Sequence, residues 1–247
     1  MRFDWPKIVV GGFVVAGVYA TYRMVTSPSL PSRPAPPASH SQRSDTKHLS
    51  DAFFRLLHDT AEDLRKKGAR VTGSDVMAVL LAESEVKPWS GNRWGYAGLN
   101  GMGGAQRRAL GFHPVPEAEW KVLSKEQQMH HAEAEWKALS AEQQMPYVRR
   151  FLLGNVRDFA KGDGAVLKDV GRLYMLNIMP AYVGKPDDYV VFPKGSEGYK
   201  NNAVTDRDQK GYTEVRDMAR FVVWATNRDP GYWQELQHRL RAAQEQA

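Results

Sequence analysis

A chain of 247 residues with 42% hydrophobic residues and seven Trp is long enough for one sizeable core or two small ones. It contains no Cys, which excludes a disulfide framework and thiolate chemistry. The net charge of +6 is unevenly spread: residues 1–49 hold Arg2, Lys7, Arg23, Arg33, Arg43 and Lys47 against Asp4 and Asp45, an excess of four. The rest is close to neutral, so the basic pI argues for no nucleic-acid partner and suits a membrane surface better.

Residues 8–22 (IVVGGFVVAGVYATY) are uncharged. As a helix they would span about 22 Å, short of a hydrocarbon core of roughly 30 Å. If Arg23 snorkels, Met24 and Val25 lengthen the run, and Trp5 and Tyr22 suit the two interfaces. Residues 1–26 therefore read as an N-terminal membrane anchor or signal-anchor. A cleaved signal peptide ending near Val18-Tyr19-Ala20 and an anchor that later leaves the membrane are the alternatives. Residues 27–48, with Pro28, Pro31, Pro34, Pro36 and Pro37 among Ser and Ala, form an extended linker that cannot build a core.

The folded part, 49–247, is expected to be mainly α. Ser50 can cap a helix with inner face Phe53, Leu57, Ala61 and Leu64, stopped at Gly68. Thr72 and Asp75 have capping-box spacing and open a second helix. Its residues Val76 to Ala82 are apolar on every face, which predicts burial on all sides. Pro88 predicts a stop near Lys87, leaving Glu83 near the C-terminal end of a buried helix. Desolvation and the negative pole of the helix both push the pKa of such an acid upward. An acid that keeps its proton near neutral pH is what general-acid cleavage of a glycosidic bond requires.

Residues 117–129 (EAEWKVLSKEQQM) and 133–145 (EAEWKALSAEQQM) agree at eleven of thirteen positions, so 116–146 reads as a duplicated insert. Two copies are too few for a solenoid, and Trp120 and Trp136 are expected to pack on the core or rim a groove. Further on, 165–179 predicts a helix ending at Pro180, 189–193 a short strand, and 214–227 and 230–245 two closing helices. Residues 199–217 contain a degenerate EF-hand-like loop. Asp206, Asp208 and Gly211 fit calcium-loop positions 1, 3 and 6, while Lys210 stands where an oxygen ligand belongs and Asp217 replaces the bidentate Glu at position 12. Calcium is possible on this reading, but no cofactor is required. There is no H-E-x-x-H, no G-x-S-x-G and no phosphate loop.

The segment Glu83-Ser84, Asn92, Ala97-Gly98-Leu99-Asn100-Gly101-Met102 and Leu110-Gly111-Phe112 resembles the soluble lytic transglycosylases, which share a fold with goose-type lysozymes. Leu-Ser-x-Glu-Gln-Gln-x-Pro-Tyr-Val at 139–148, the Leu-Tyr-x-x-Asn-x-x-Pro-Ala stretch at 173–181 and the Tyr199/Asn202 pair resemble phage-type members. In the family's Gly-Leu-Met-Gln turn, Asn100 replaces Met and Gly101 replaces Gln.

The resemblance implies a lysozyme-like helical domain with Glu83 as the catalytic acid and Ser84 as its orienting serine. Ser84, which would orient either the acid or the substrate's acetamido group, and Asn92, Gly98, Leu99, Asn100, Met102, Tyr174, Asn177, Tyr199 and Asn202 are then substrate-binding candidates, with packing an equal prospect for Tyr174 and Asn177. It further implies peptidoglycan as partner, cleavage of the MurNAc–GlcNAc β-1,4 bond to a 1,6-anhydro product, and a membrane-anchored domain on the periplasmic or extracytoplasmic side. The alternatives are a hydrolytic lysozyme or endolysin, which wants a second carboxylate, and a non-catalytic peptidoglycan-binding or virion structural module. Glu85 and Asp75 are poorly spaced to be that second acid.

Overall fold

The computed structural model describes residues 46–92 and 95–246, all within one compact unit, Arg43–Ala247. The anchor expected at 1–26 and the linker up to residue 45 lie outside the described residues. Among the described residues no helix is long and apolar enough to cross a membrane. The fold is mainly helical. It begins at a 3-10 turn, Thr46–His48, slightly before the boundary expected at Leu49. Thr46 is buried there, with its hydroxyl on Glu235 and its carbonyl accepting from Arg239 Nη1 at 2.9 Å.

Ten helices follow among the described residues: α1 (Asp51–Arg65), α2 (Gly73–Ser84), α3 (Gly104–Ala109), α4 (Glu117–Val122), α5 (Lys125–Ala138), α6 (Ala141–Phe159), α7 (Val170–Ile178), α8 (Glu197–Asn202), α9 (Asp217–Asn227) and α10 (Pro230–Glu245). Strands β1 (Val190–Phe192) and β2 (Thr213–Glu214) pair antiparallel, with Val190 opposite Glu214 and Phe192 opposite Thr213.

The centre of the molecule is α2. Its capping box forms as the sequence predicts: Asp75 Oδ2 accepts Thr72 N–H at 2.7 Å, and Thr72 Oγ1 accepts Asp75 N–H at 3.2 Å. Val76 through Leu81 are all buried, and α1, α7, α9 and α10 pack around the helix. The helix ends at Ser84, before the stop that Pro88 predicts. Glu85 N–H bonds Leu81 C=O and Val86 N–H bonds Leu80 C=O, which satisfies carbonyls of the last turn. Glu85 and Val86 both take φ of 57°, a conformation unfavourable for a β-branched residue. The buried Val86 side chain and the His48 ring nitrogen 3.1 Å from Val86 C=O hold that bend.

Two other boundaries move for local reasons. The helix expected from 165 starts at Val170, because Asp169 accepts Arg172 N–H at 2.8 Å and caps it there. The helix expected from 214 starts at Asp217, because Thr213–Glu214 is used in the sheet.

The duplicated segment does not form two equivalent units. In each copy Leu-Ser ends one helix and caps the next, through Ser124 with Gln127 and Ser140 with Gln143. The two Trp side chains nevertheless part company. Trp136 is fully buried between Phe112 and Tyr147, with ring centroids 5.0 and 5.2 Å away. Trp120 stays partly exposed, with the Arg108 guanidinium 5.3 Å over its ring. Truncation should separate them. Trp136→Ala is expected to cost about 3–5 kcal/mol, and Trp120→Ala under about 1 kcal/mol, in urea unfolding of the two variants.

Candidate active site

Glu83 stands in the last turn of α2. The residue is half-buried, so its carboxyl keeps some contact with solvent. The Tyr174 hydroxyl and the Asn177 amide, both on α7, donate hydrogen bonds to that carboxyl. Tyr174 and Asn177 are three positions apart, so they share a face of one helix. Burial pushes the Glu83 pKa from 4.5 up to about 7, against the pull of the two donors. The Tyr174 hydroxyl is pushed well above its ordinary value, by burial first and then by Glu83, and so remains a donor.

The turn at residues 97–102 closes over this acid. Gly101 has φ of +63°, and a Cβ there would lie 3.0 Å from Glu83 Oε2. A residue without a side chain is needed at that approach. Asn100 Nδ2 donates to Asn177 Oδ1 at 3.2 Å, and Asn177 Nδ2 lies 3.4 Å from Asn100 C=O. Asn100 Oδ1 is buried with no hydrogen-bond partner. Asn155 steadies α7 from behind, donating to Leu176 C=O at 3.0 Å.

Of the residues singled out from sequence, Glu83, Asn100, Tyr174 and Asn177 therefore form one hydrogen-bonded group. Ser84, Gly98 and Leu99 act one layer behind it. Ser84 Oγ lies 3.1 Å from Leu80 C=O and 2.8 Å from Leu99 C=O, so it ties the helix end to the turn; neither bond reaches Glu83. Gly98 has φ of +85°, and a Cβ there would meet Trp136 Nε1 at 2.1 Å and Gln144 Oε1 at 2.5 Å.

Asn92 closes the preceding hairpin, bonding Tyr96 C=O through its N–H at 2.9 Å and Tyr96 N–H through its Oδ1 at 3.3 Å. Met102 is a core side chain whose carbonyl accepts Ala97 N–H at 3.1 Å. Tyr199 and Asn202 are engaged in their own loop: Tyr199 donates to Asp206 Oδ2 at 2.9 Å and Asn202 to Gly198 C=O at 2.9 Å. Neither is among the groups that hydrogen-bond Glu83.

The candidate calcium loop is filled by its own chain. Asp206 accepts Lys210 N–H at 3.1 Å, Gly211 N–H at 2.7 Å and the Tyr199 hydroxyl, while Asp208 pairs with Arg220. The Lys210 ammonium lies 2.7 Å from Glu214 and 2.8 Å from Asp217, where a cation would otherwise satisfy them. Among the described residues no group of three or more His, Asp or Glu side chains stands ready to hold a metal ion.

Sequence reasoning missed the groups that brace the turn. Gln144 on α6 is fully buried and bonded to three backbone segments, and Trp136 Nε1 donates to Ala97 C=O at 3.1 Å. Arg107 is also buried, donating from Nη2 to Gly95 C=O at 3.2 Å with its guanidinium 5.7 Å over the Trp136 ring. Burial brings its pKa down to about 10, which leaves it charged at neutral pH. The duplication drew attention to Trp136, but nothing in sequence separates Gln144 from Gln143 or Gln127.

The two acids weighed as partners for Glu83 lie elsewhere. Asp75 is in the capping box at the far end of α2, and Glu85 pairs with Lys87 at 2.6 Å and faces Arg228 at 3.6 Å. No family model, curated protein or solved structure matches the chain.

A raised pKa binds the proton more tightly in the folded state. The stabilisation it brings is complete below about pH 4.5 and is lost as pH rises through about 7. Glu83→Gln, neutral throughout, is therefore expected to gain on the wild type across that window, by roughly 3 kcal/mol at most. Denaturant unfolding of both proteins at pH 4, 6 and 8 checks this; parallel pH dependences would contradict it.

Proposed function

We propose that the chain is a peptidoglycan-cleaving lytic transglycosylase with a lysozyme-like domain. The observation that carries the reading is the Glu83 carboxyl: pushed up to about 7 by burial, held by two neutral donors, and shifted by no second carboxylate. At neutral pH such a group is protonated in a large fraction of molecules and can transfer its proton to the leaving glycosidic oxygen. The anion left behind is the form that Tyr174 and Asn177 favour. Their hydrogen bonds thus help most when the proton has gone.

With one acid, the cation at the anomeric carbon is stabilised by the sugar's own acetamido oxygen. The same carboxylate then takes the proton of the 6-hydroxyl, whose oxygen closes on the anomeric carbon. The result is a 1,6-anhydro end, and Glu83 is reset in its acid form. A hydrolytic route would need a second carboxylate to activate water, and Glu85 and Asp75 are engaged away from Glu83. The uncharged run at 8–22 and the Pro-rich stretch behind it would tether this domain on the extracytoplasmic side, within reach of the wall.

The test uses purified peptidoglycan and the full chain. Glu83→Gln is expected to lower the release of soluble fragments by about 10²- to 10⁴-fold. Wild-type turnover is expected to fall as pH rises through about 7, because the acid form is consumed there. Mass spectrometry of the fragments is expected to find 1,6-anhydro ends. Reducing ends would make the enzyme a hydrolase, and fragment release unchanged in Glu83→Gln would remove the catalytic assignment.

A further inference from the structure

One amide side chain joins three backbone segments behind the acid. Gln144 Oε1 accepts Leu99 N–H at 2.9 Å, while Nε2 lies 2.9 Å from both Pro88 C=O and Trp136 C=O. The other end of Leu99, its carbonyl, accepts from Ser84 Oγ at 2.8 Å. Both polar groups of this residue are thus pinned, one by α6 and one by the residue adjoining Glu83. The turn then runs directly into Asn100, paired with Asn177, and Gly101, whose missing Cβ would reach within 3.0 Å of Glu83 Oε2. Gly98 completes the clamp, since any side chain there would collide with Trp136 and Gln144.

We infer that Gln144 is a positioning residue for the acid, fixing the 98–101 turn over Glu83 although its own hydrogen bonds go to the backbone. The inference rests on the reading of Glu83 as a general acid and extends it one layer outward. Replacing the amide with an apolar side chain would leave Leu99 N–H and Pro88 C=O without a partner in the interior, while Trp136 C=O keeps Leu139 N–H. The turn would have to move to regain hydrogen bonds, and with Gly101 no longer held against Glu83 more water would reach the carboxyl. Water favours the ionised acid, so its titration would move down toward the ordinary carboxylate range.

Other charges around the acid are committed elsewhere and offer no rival cause. On α1 Asp63 bonds Arg149 of α6; on α7 Arg172 bonds Asp187; on α9 Asp217 bonds Lys210 and Arg220 bonds Asp208; beside α9 Arg228 faces Glu85; on α10 Arg239 bonds Asp51. Tyr174 is the titratable group that faces Glu83.

The experiment follows the Glu83 side-chain carboxyl by ¹³C NMR in the full chain, assigned through Glu83→Gln, as pH is varied. Wild type is compared with Gln144→Leu and Gln144→Asn, alongside the pH profile of fragment release from purified peptidoglycan. In Gln144→Leu the titration midpoint is expected to fall by a unit or more, with the alkaline limb of the profile moving with it. Gln144→Asn keeps a neutral amide one methylene short of the turn and is expected to show a smaller fall.

A folded Gln144→Leu protein whose Glu83 midpoint stays at the wild-type value overturns the inference. If Gln144→Leu does not fold, the same null shift in Gln144→Asn overturns it. The midpoint is read without turnover, so a chain that releases no fragments but whose Glu83 responds to Gln144 would sink the transglycosylase reading and leave the positioning role standing.

Discussion

The contest that decides this site is between the partial burial of one carboxyl and two hydrogen bonds given to it. Tyr174 and Asn177 alone would hold Glu83 ionised at neutral pH; burial wins and keeps its proton in reach. Everything near the acid serves one side or the other. The apolar α2, enclosed by α1, α7, α9 and α10, supplies the dry end. The α7 face supplies the donors. The 97–102 turn, with Gly101 against the carboxyl, closes the top.

That closure is built across the chain. Ser84 ties the helix end to Leu99, and Gln144 ties Leu99 to α6 and to the segment after the bend at Glu85–Val86. The two consecutive left-handed residues send the chain away sharply after Ser84, and the strain is held by the buried Val86 side chain. The duplication enters here with only one of its copies: Trp136, in the second, sits under the turn, while Trp120, in the first, covers Arg108 at the surface. A repeated sequence has taken two structural roles, with the Trp of the second copy seated against Gly98.

Much of this was legible in the chain. The all-round apolar stretch from Val76 to Ala82 and the Thr72–Asp75 box located the interior helix and hence the acid at its tail. Tyr174 and Asn177 were picked out by their place in a recurring stretch, and they bond the acid. Other features depended on distant contacts that spacing does not encode. Gln144 lies 45 positions beyond Leu99 and looks like any polar helix residue. Ser84 bonds Leu99 instead of the acid because its hydroxyl points back along the helix to Leu80 and across to the turn. The calcium-like spacing at Asp206 and Asp208 is answered by Lys210, whose ammonium lies between Glu214 and Asp217. Tyr199 belongs to that loop for the same reason, since its hydroxyl completes the Asp206 shell.

The account turns on where one proton resides at neutral pH, and a direct titration of the Glu83 carboxyl in the wild-type chain measures that. A midpoint near 7 is the expected result, with burial raising the carboxyl against its two donors. A midpoint near 4.5, the value of a carboxyl open to water, would mean that the site is wet and would contradict the account at its root.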